Sequence, residues 1–245
     1  MSTVDLVPPV ARCTTGLCAV AVVVPARDEE ELVGRCLASV VVAVRRLRAA
    51  RPEVAVRVVL VSDASTDATE AVARAVEGVD VLVVDAGAVG VARAAGVRHA
   101  LDLLGDPDPA ATWLACTDAD SVVPADWLLS QVRHAEAGAD VVVGTVRPEG
   151  LRGRRLVTWA RTHVPGRPNG HVHGANLGVR VDAFTAAGGF PAVAEHEDVQ
   201  LVEGLRASGV RIVASDEAEV LTSGRRIGRT PGGYAAYLAG DPWGA

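Results

Sequence analysis

The chain of 245 residues carries a formal net charge of -6 and contains no lysine, an acidic balance that argues against general nucleic-acid affinity, which rests on many cations meeting phosphates. Hydrophobic residues make up 49% and aromatics only 3%, so the core must be built from Val, Ala and Leu, which favours buried β-branched strands flanked by Ala-rich helices. Four cysteines, at positions 13, 18, 36 and 116, are too few and too irregularly spaced for a disulfide scaffold or a C-x-x-C metal site and suit thiols in a reducing cytoplasm.

Residues 1 to 16, with Pro8-Pro9, read as a loose polar lead-in. The apolar run Leu17 to Val24 is shorter than the roughly 18 residues a spanning helix needs, and only Arg12 precedes it as a basic flank. A soluble, cytoplasmic chain without signal peptide or transmembrane segment is the expectation, with peripheral membrane contact left open. That run reads instead as a first buried strand, stopping at Pro25. The acidic run Asp28 to Glu31 suits the first turn of a helix, and the periodic stretch that follows, to Ala50, reads as that helix. Val54 to Val61 forms a second strand, and the loop from Ser62 feeds a helix over Thr69 to Glu77. Val79 to Val84 is a third strand, and Gly90 to Leu104 a third helix, carrying Arg93.

A fourth apolar run, Trp113 to Thr117, ends in Asp118-Ala119-Asp120. Alternation of strands and helices at this spacing implies parallel β-α-β units with right-handed crossovers, whose ligands bind beyond the carboxyl ends of the strands. Asp28, Asp63, Asp85, Asp118 and Asp120 all fall at or just past those ends.

The second half is less regular. Trp127 to Ala137 reads as a helix, Asp140 to Val146 as a strand, and Arg147 to Arg167 as an Arg-rich stretch broken by Gly and Pro. His171 to Arg180 reads as a strand with a Gly-marked irregularity, and Gly188 to Pro191 as a turn. Glu195-His196-Glu197-Asp198 opens a helix running to Ser208; two short strands, Arg211 to Ala214 and Glu219 to Leu221, precede a Gly/Arg-rich tail. No internal repeat or low-complexity linker marks a domain boundary.

The acidic triplet poses a chemical question. Alternating carboxylates at the end of a buried strand place two charges at one sheet edge, where burial without a partner is costly. A divalent cation is a natural partner: hard oxygen donors suit Mg²⁺ or Mn²⁺, which keep positions open for diphosphate oxygens. Taken alone, the triplet equally suits an Asp118 that caps the next segment and a solvated Asp120.

Together these stretches resemble the family 2 glycosyltransferases of the GT-A fold, from about Cys18 to Thr222. VVVPARDEEELVGRCLASV is similar to the family's first strand and helix with its P-x-x-N-E, Asp28 standing for the Asn. VLVSDASTDAT is similar to V-D-D-G-S-x-D-x-T, with Ser62 for the first Asp and Ala64 for the Gly. Ala92 to Gly96 is similar to A-R-N-x-G without its Asn, and TDADSVVPADWL to the D-x-D region. GANLGVRVDAFTAAGGF and EHEDVQLVEGLRASG resemble the acceptor-side G-A-N and E-D segments.

The resemblance implies one α/β domain over residues 1–245, a Rossmann-like, doubly wound, mostly parallel mixed sheet with helices on both faces. Residues 17–123 would form the nucleotide-sugar-binding half, 124–222 the less regular acceptor-binding half, and 223–245 a tail or flap. It implies transfer of a sugar, with inversion and metal assistance, from a UDP-, GDP- or dTDP-sugar to the hydroxyl of a small-molecule, glycan or lipid-linked acceptor. Asp63 would hold the base, with Pro25, Ala26, Arg27 and Glu29 on the same side. Asp118, Ala119 and Asp120 would bracket ribose and Mg²⁺ or Mn²⁺, Asp120 being the better direct ligand. Arg93 would orient an aspartate or touch the diphosphate, unless it is a surface helix residue. Asp198 would act as general base beside Glu197, with Gly174, Ala175 and Asn176 on the acceptor side; the same acidic run equally favours a helix N-terminus. His173 and His196, with His171, are further metal or phosphate candidates, and equally ordinary surface histidines. Arg225, Arg226 and Arg229 with Gly232-Gly233 suit a flap closing over the diphosphate, or a frayed tail. Absence of Q-x-x-R-W favours one sugar per encounter.

Three other readings compete. A sugar-nucleotide pyrophosphorylase shares the architecture, but its first loop must cradle a triphosphate, which Asp28-Glu29-Glu30 would repel. A dehydrogenase lacks its G-x-G-x-x-G here. A catalytically silent nucleotide-sugar binder is kept alive by Asp28, Ser62 and Ala94, and opposed by Asp120 and Asp198.

Overall fold

The computed structural model describes residues 16–161, 163, 164, 171–225, 228, 234 and 238. The lead-in to residue 15 and the flap residues Arg226, Arg229, Gly232 and Gly233 lie outside them. Among the described residues eight strands form one sheet: β1 (Ala19–Ala26), β2 (Ala55–Asp63), β3 (Asp80–Val84), β4 (Thr112–Cys116), β5 (Ser121–Val122), β6 (Val141–Pro148), β7 (Leu177–Arg180) and β8 (Ile212–Thr222). Among the described residues seven α-helices accompany them: α1 (Val33–Ala50), α2 (Thr69–Arg74), α3 (Val89–Leu103), α4 (Trp127–Glu136), α5 (Gly153–Ala160), α6 (Val181–Ala186) and α7 (Glu197–Ala207).

The strand order is β3-β2-β1-β4-β7-β6-β8-β5. The first four strands pair in parallel, as the β-α alternation requires; β4–β7, β6–β7 and β5–β8 are antiparallel, and β6–β8 is parallel again. The sheet is therefore mixed and mostly parallel.

Alternation along β1 explains the two cores. Val20, Val22 and Val24 face a layer with Leu37, Val40 and Leu47 of α1 and Leu128 and Val132 of α4. Ala19, Ala21 and Val23 face the opposite layer with Val97 of α3 and Val202 and Leu205 of α7. A strand buried on both sides needs no polar alternation, which is why the run reads as uninterrupted Val and Ala. Gly96 lets α3 lie against the sheet: a Cβ there would come within 2.6 Å of Val61 Cγ2 and 2.7 Å of Val23 Cγ1.

Five features differ from the sequence expectation. The acidic run Asp28 to Glu31 is not a helical first turn, because α1 begins only at Val33. It is stitched instead to the β2–α2 loop: Asp28 Oδ1 accepts from the Thr66 backbone N–H and hydroxyl, and Glu30 exchanges bonds with Asp67 and Ala68. The Arg-rich stretch contains a short helix, α5, and β7 runs directly into α6. The residues before β7 form a 3₁₀ turn, Gly174–Asn176, rather than strand. The two short strands foreseen near residues 211 and 221 are one strand, β8. Among the described residues no helix is long and apolar enough to cross a membrane.

Candidate functional site

The carboxyl ends of β1, β2 and β4 open onto a cavity of about 810 Å³. Pro25, Ala26, Arg27 and Glu29 line it after β1, and Asp63 lines it at the end of β2. Asp118, Ala119 and Asp120 line it after β4. The facing wall carries His173, Gly174 and Ala175 before β7, and His196, Glu197 and Asp198 at the start of α7. Carboxylates more than a hundred residues apart in sequence thus share one space.

Asp63 is buried, and its Oδ1 accepts from the backbone N–H groups of Ala86 and Gly87 at 2.7 and 3.0 Å. These bonds fix the loop from β3 to α3 against the cavity. The opposite edge of that loop starts α3, whose Arg93 is only 2% exposed and no surface residue. Its Nε donates to Glu197 Oε1 at 2.9 Å, one terminal nitrogen to Asp118 Oδ1 at 2.5 Å, and the other to the Gly174 carbonyl at 3.4 Å. Burial works against the charged guanidinium, but the Asp118 and Glu197 carboxylates outweigh it and hold Arg93 ionised above its ordinary range. Gly174 is required here, since a Cβ would lie 2.4 Å from the Arg93 guanidinium.

Glu197 is almost fully buried and engaged by Arg93; burial pushes its carboxyl up. Asp198 borders the cavity, and its Oδ2 accepts from the Gly174 backbone N–H at 2.5 Å while Oδ1 accepts from Val199 N–H. Burial raises the Asp198 carboxyl as well, against the pull of Arg93.

Asp120 is the most heavily loaded acid. Its Oδ1 lies 3.3 Å from the Ser121 hydroxyl and 3.4 Å from the Thr222 hydroxyl, which donate to it. Its Oδ2 is met by Arg225 at 2.6 Å, and the same nitrogen of Arg225 reaches Glu29 Oε1 at 2.6 Å. Burial, and then the charge of Asp118, pushes Asp120 up to about 6 even with Arg225 beside it. Buried hard-oxygen donors short of positive charge fit a divalent cation. Among the described residues no group of three or more His, Cys, Asp or Glu is placed to hold an ion unaided, so water or ligand oxygens would have to complete its shell.

The sequence brought Asn176 to the acceptor side, and the structure places its side chain elsewhere. Its amide donates to the carbonyls of Thr145 and Ala218 at 2.9 Å and its oxygen accepts from Trp127 Nε1, so Asn176 locks the 3₁₀ turn onto β6 and β8. Gly174 and Ala175 do border the cavity. His173 stands edge-on to Tyr234 at 5.2 Å; burial, then the neighbouring His171, depresses it to about 4 and keeps it neutral. His196 occupies a left-handed turn, φ 59°, at the α7 start. Around Asp120, Ser121 and Thr222 carry no functional mark in the sequence, and Arg225 reads there only as a flap residue. Pairing of β5 with β8 sets Ser121 opposite Thr222, a contact that nothing local marks.

The family model for glycosyl transferase family 2 matches residues 21–186. No curated protein matches the sequence. Among solved structures, S. aureus TarS 1-349 superposes with a TM-score of 0.59 at 14% identity, over 84% of this chain and 60% of that one. Mannosyltransferase PcManGT from Pyrobaculum calidifontis, in complex with GDP-Man and Mn²⁺, gives 0.57 at 18% identity, over 94% and 70%. GalNAc-T7 with UDP, GalNAc and Mn²⁺ gives 0.60 at 13% identity, over 93% and 48%. The chain thus spans about 60% of the TarS fragment. The shared architecture is the GT-A fold.

Proposed function

The chain belongs to glycosyl transferase family 2, and from that premise we propose that it transfers a sugar from a nucleoside-diphosphate sugar to an acceptor hydroxyl, within a single GT-A domain. The observation that carries this reading is that Asp63 at the end of β2, Asp118 and Asp120 after β4, and Asp198 at the start of α7 border one cavity. GDP-Man and UDP in similarly folded proteins accord with a nucleotide donor, and the Mn²⁺ beside them with a divalent ion.

On this reading Asp63 accepts from an N–H of the base, with Pro25, Ala26, Arg27 and Glu29 around it. Asp120, with Asp118, would hold Mg²⁺ or Mn²⁺, which when bound would supply Lewis-acid neutralisation of the departing diphosphate. Arg93 keeps Asp118 oriented and opposes the burial that raises the Glu197 carboxyl. Asp198 Oδ2, presented at the cavity wall by Gly174, takes the proton of the acceptor hydroxyl as its oxygen bonds to the anomeric carbon. The bond from that carbon to the diphosphate breaks, its electron pair leaving on the phosphate oxygen, and displacement from the opposite side inverts the centre. One transfer per encounter is the reading that the absence of a Q-x-x-R-W element favours.

The test is a panel of UDP-, GDP- and dTDP-sugars with Mn²⁺, read by thermal shift and by sugar release. Asp198→Asn retains donor binding and loses at least about 10²-fold in transfer, the usual weight of a general base. Because burial raises the Asp198 carboxyl, the acid limb of kcat lies above the ordinary aspartate value of 3.8, activity being present above that limb and lost below it. Normal transfer by Asp198→Asn removes the base assignment; absence of any donor binding favours a protein of other function.

A further inference from the structure

Arg225 occupies the position that the metal reading reserves for a cation. Its terminal nitrogen lies 2.6 Å from Asp120 Oδ2 and 2.6 Å from Glu29 Oε1, bridging the end of β4 to the end of β1. Asp120 Oδ1 is already engaged by the Ser121 and Thr222 hydroxyls, so Oδ2 is the oxygen left to ligate an ion, and Arg225 is on it. Glu29 is 6% exposed and Asp120 only 12% exposed at its side chain, so neither is neutralised by bulk solvent.

The segment that delivers this guanidinium is itself built in. Arg155 of α5 donates to the carbonyls of Gly224 and Arg225, both at 2.7 Å. Gly224 is seated so closely on β6's exit that a Cβ would lie 2.0 Å from the Glu149 carbonyl oxygen. The backbone is anchored while the side chain, 27% exposed, retains a path to the cavity. A long side chain on a fixed stem can leave its carboxylates without moving the strand behind it.

The geometry points to Arg225 as a tethered counter-cation that exchanges with the divalent ion: guanidinium and metal are mutually exclusive on Asp120 Oδ2, so metal entry frees Arg225 from Glu29 and Asp120. This rests on the reading that Asp120 takes a divalent ion. Arg225 is then a positioning residue whose occupancy sets how tightly the unloaded protein takes its metal. One terminal nitrogen makes both contacts, and lysine, with the same charge on a shorter stem and a more strongly hydrated ammonium, reproduces them only in part.

The experiment titrates the full chain with Mn²⁺ alone, without nucleotide, reading free ion by electron paramagnetic resonance. Arg225→Gln is expected to bind Mn²⁺ about tenfold or more tightly than the native chain, and Arg225→Lys to fall between the two. Asp120→Asn in the Arg225→Gln background should abolish the gain. Equal or weaker Mn²⁺ binding by Arg225→Gln, or none by either protein, overturns the exchange. Because no sugar nucleotide is present, that result leaves the transferase reading to the donor panel. Donor binding without Mn²⁺ that Arg225→Gln destroys would also overturn it, making the arginine a replacement for the ion instead of its competitor.

Discussion

Ala64 holds a left-handed backbone, φ 50°, where β2 passes into the loop beside the cavity, and its N–H donates to the Val84 carbonyl at 2.9 Å. Asp28, at φ 51°, does the same after β1. These are two of the positions where the sequence departs from the family pattern, which has Gly and Asn there. The geometry supplies the reason: Gly and Asn enter that region at low cost, and a residue with a plain Cβ does not. Asp28 offsets the strain through the bonds Thr66 donates to its carboxylate, whereas Ala64 has no side chain able to do so. Ala64→Gly is therefore expected to stabilise the fold by about 0.5–1 kcal/mol, the left-handed penalty less glycine's extra chain entropy. A urea midpoint that falls in the variant would show that the loop is not strained at this position.

At the scale of elements, Arg93 ties α3 to the end of β4, the turn before β7 and the start of α7 through three donated hydrogen bonds. Arg93→Met would leave Glu197, 5% exposed, as a buried carboxylate without its partner, a change that costs about 3–5 kcal/mol. Adding Glu197→Gln should restore part of that loss in a double-mutant cycle by chemical denaturation, and strictly additive losses would deny the coupling. How far such ties can be read from sequence differs along the chain. The strands and helices from β1 to β4 were legible because each strand is buried on both faces and each helix follows at regular spacing. β8 was not: Val146 pairs with Val220 while Gly144 pairs with Ser215, so the acidic stretch between them arches out of one continuous strand. The sequence shows this bulge as a polar gap and suggests two strands. Likewise, the acids at the cavity were legible as strand-end residues. The destination of the Asn176 side chain was not, because its partners Thr145 and Ala218 are defined only by packing of β6 and β8.

For the molecule as a whole, the two proposed halves share one hydrogen-bonded sheet. β4 of the donor-side half pairs antiparallel with β7 of the acceptor-side half, Trp113 opposite Arg180 through Cys116 opposite Leu177, and β5 pairs with β8. Unfolding either half alone would strip the ladder from β4 or β7, expose apolar strands buried on both faces, and open the Arg93 cluster, which draws on both. Chains of this length often populate intermediates, yet a continuous sheet with cores on both faces couples the halves. The expectation is one transition in urea, with Trp fluorescence and far-UV ellipticity coincident; Trp113 in β4 and Trp127 in α4, both 0% exposed, report from either side of the boundary near residue 123. A nucleotide sugar at 100 times its dissociation constant should move that whole transition by about 2.7 kcal/mol, not one limb of it. Two separated transitions, with only the earlier or only the later shifted by the donor, would mean that the donor-side half folds as a domain of its own and that the cavity lies between domains, not within one.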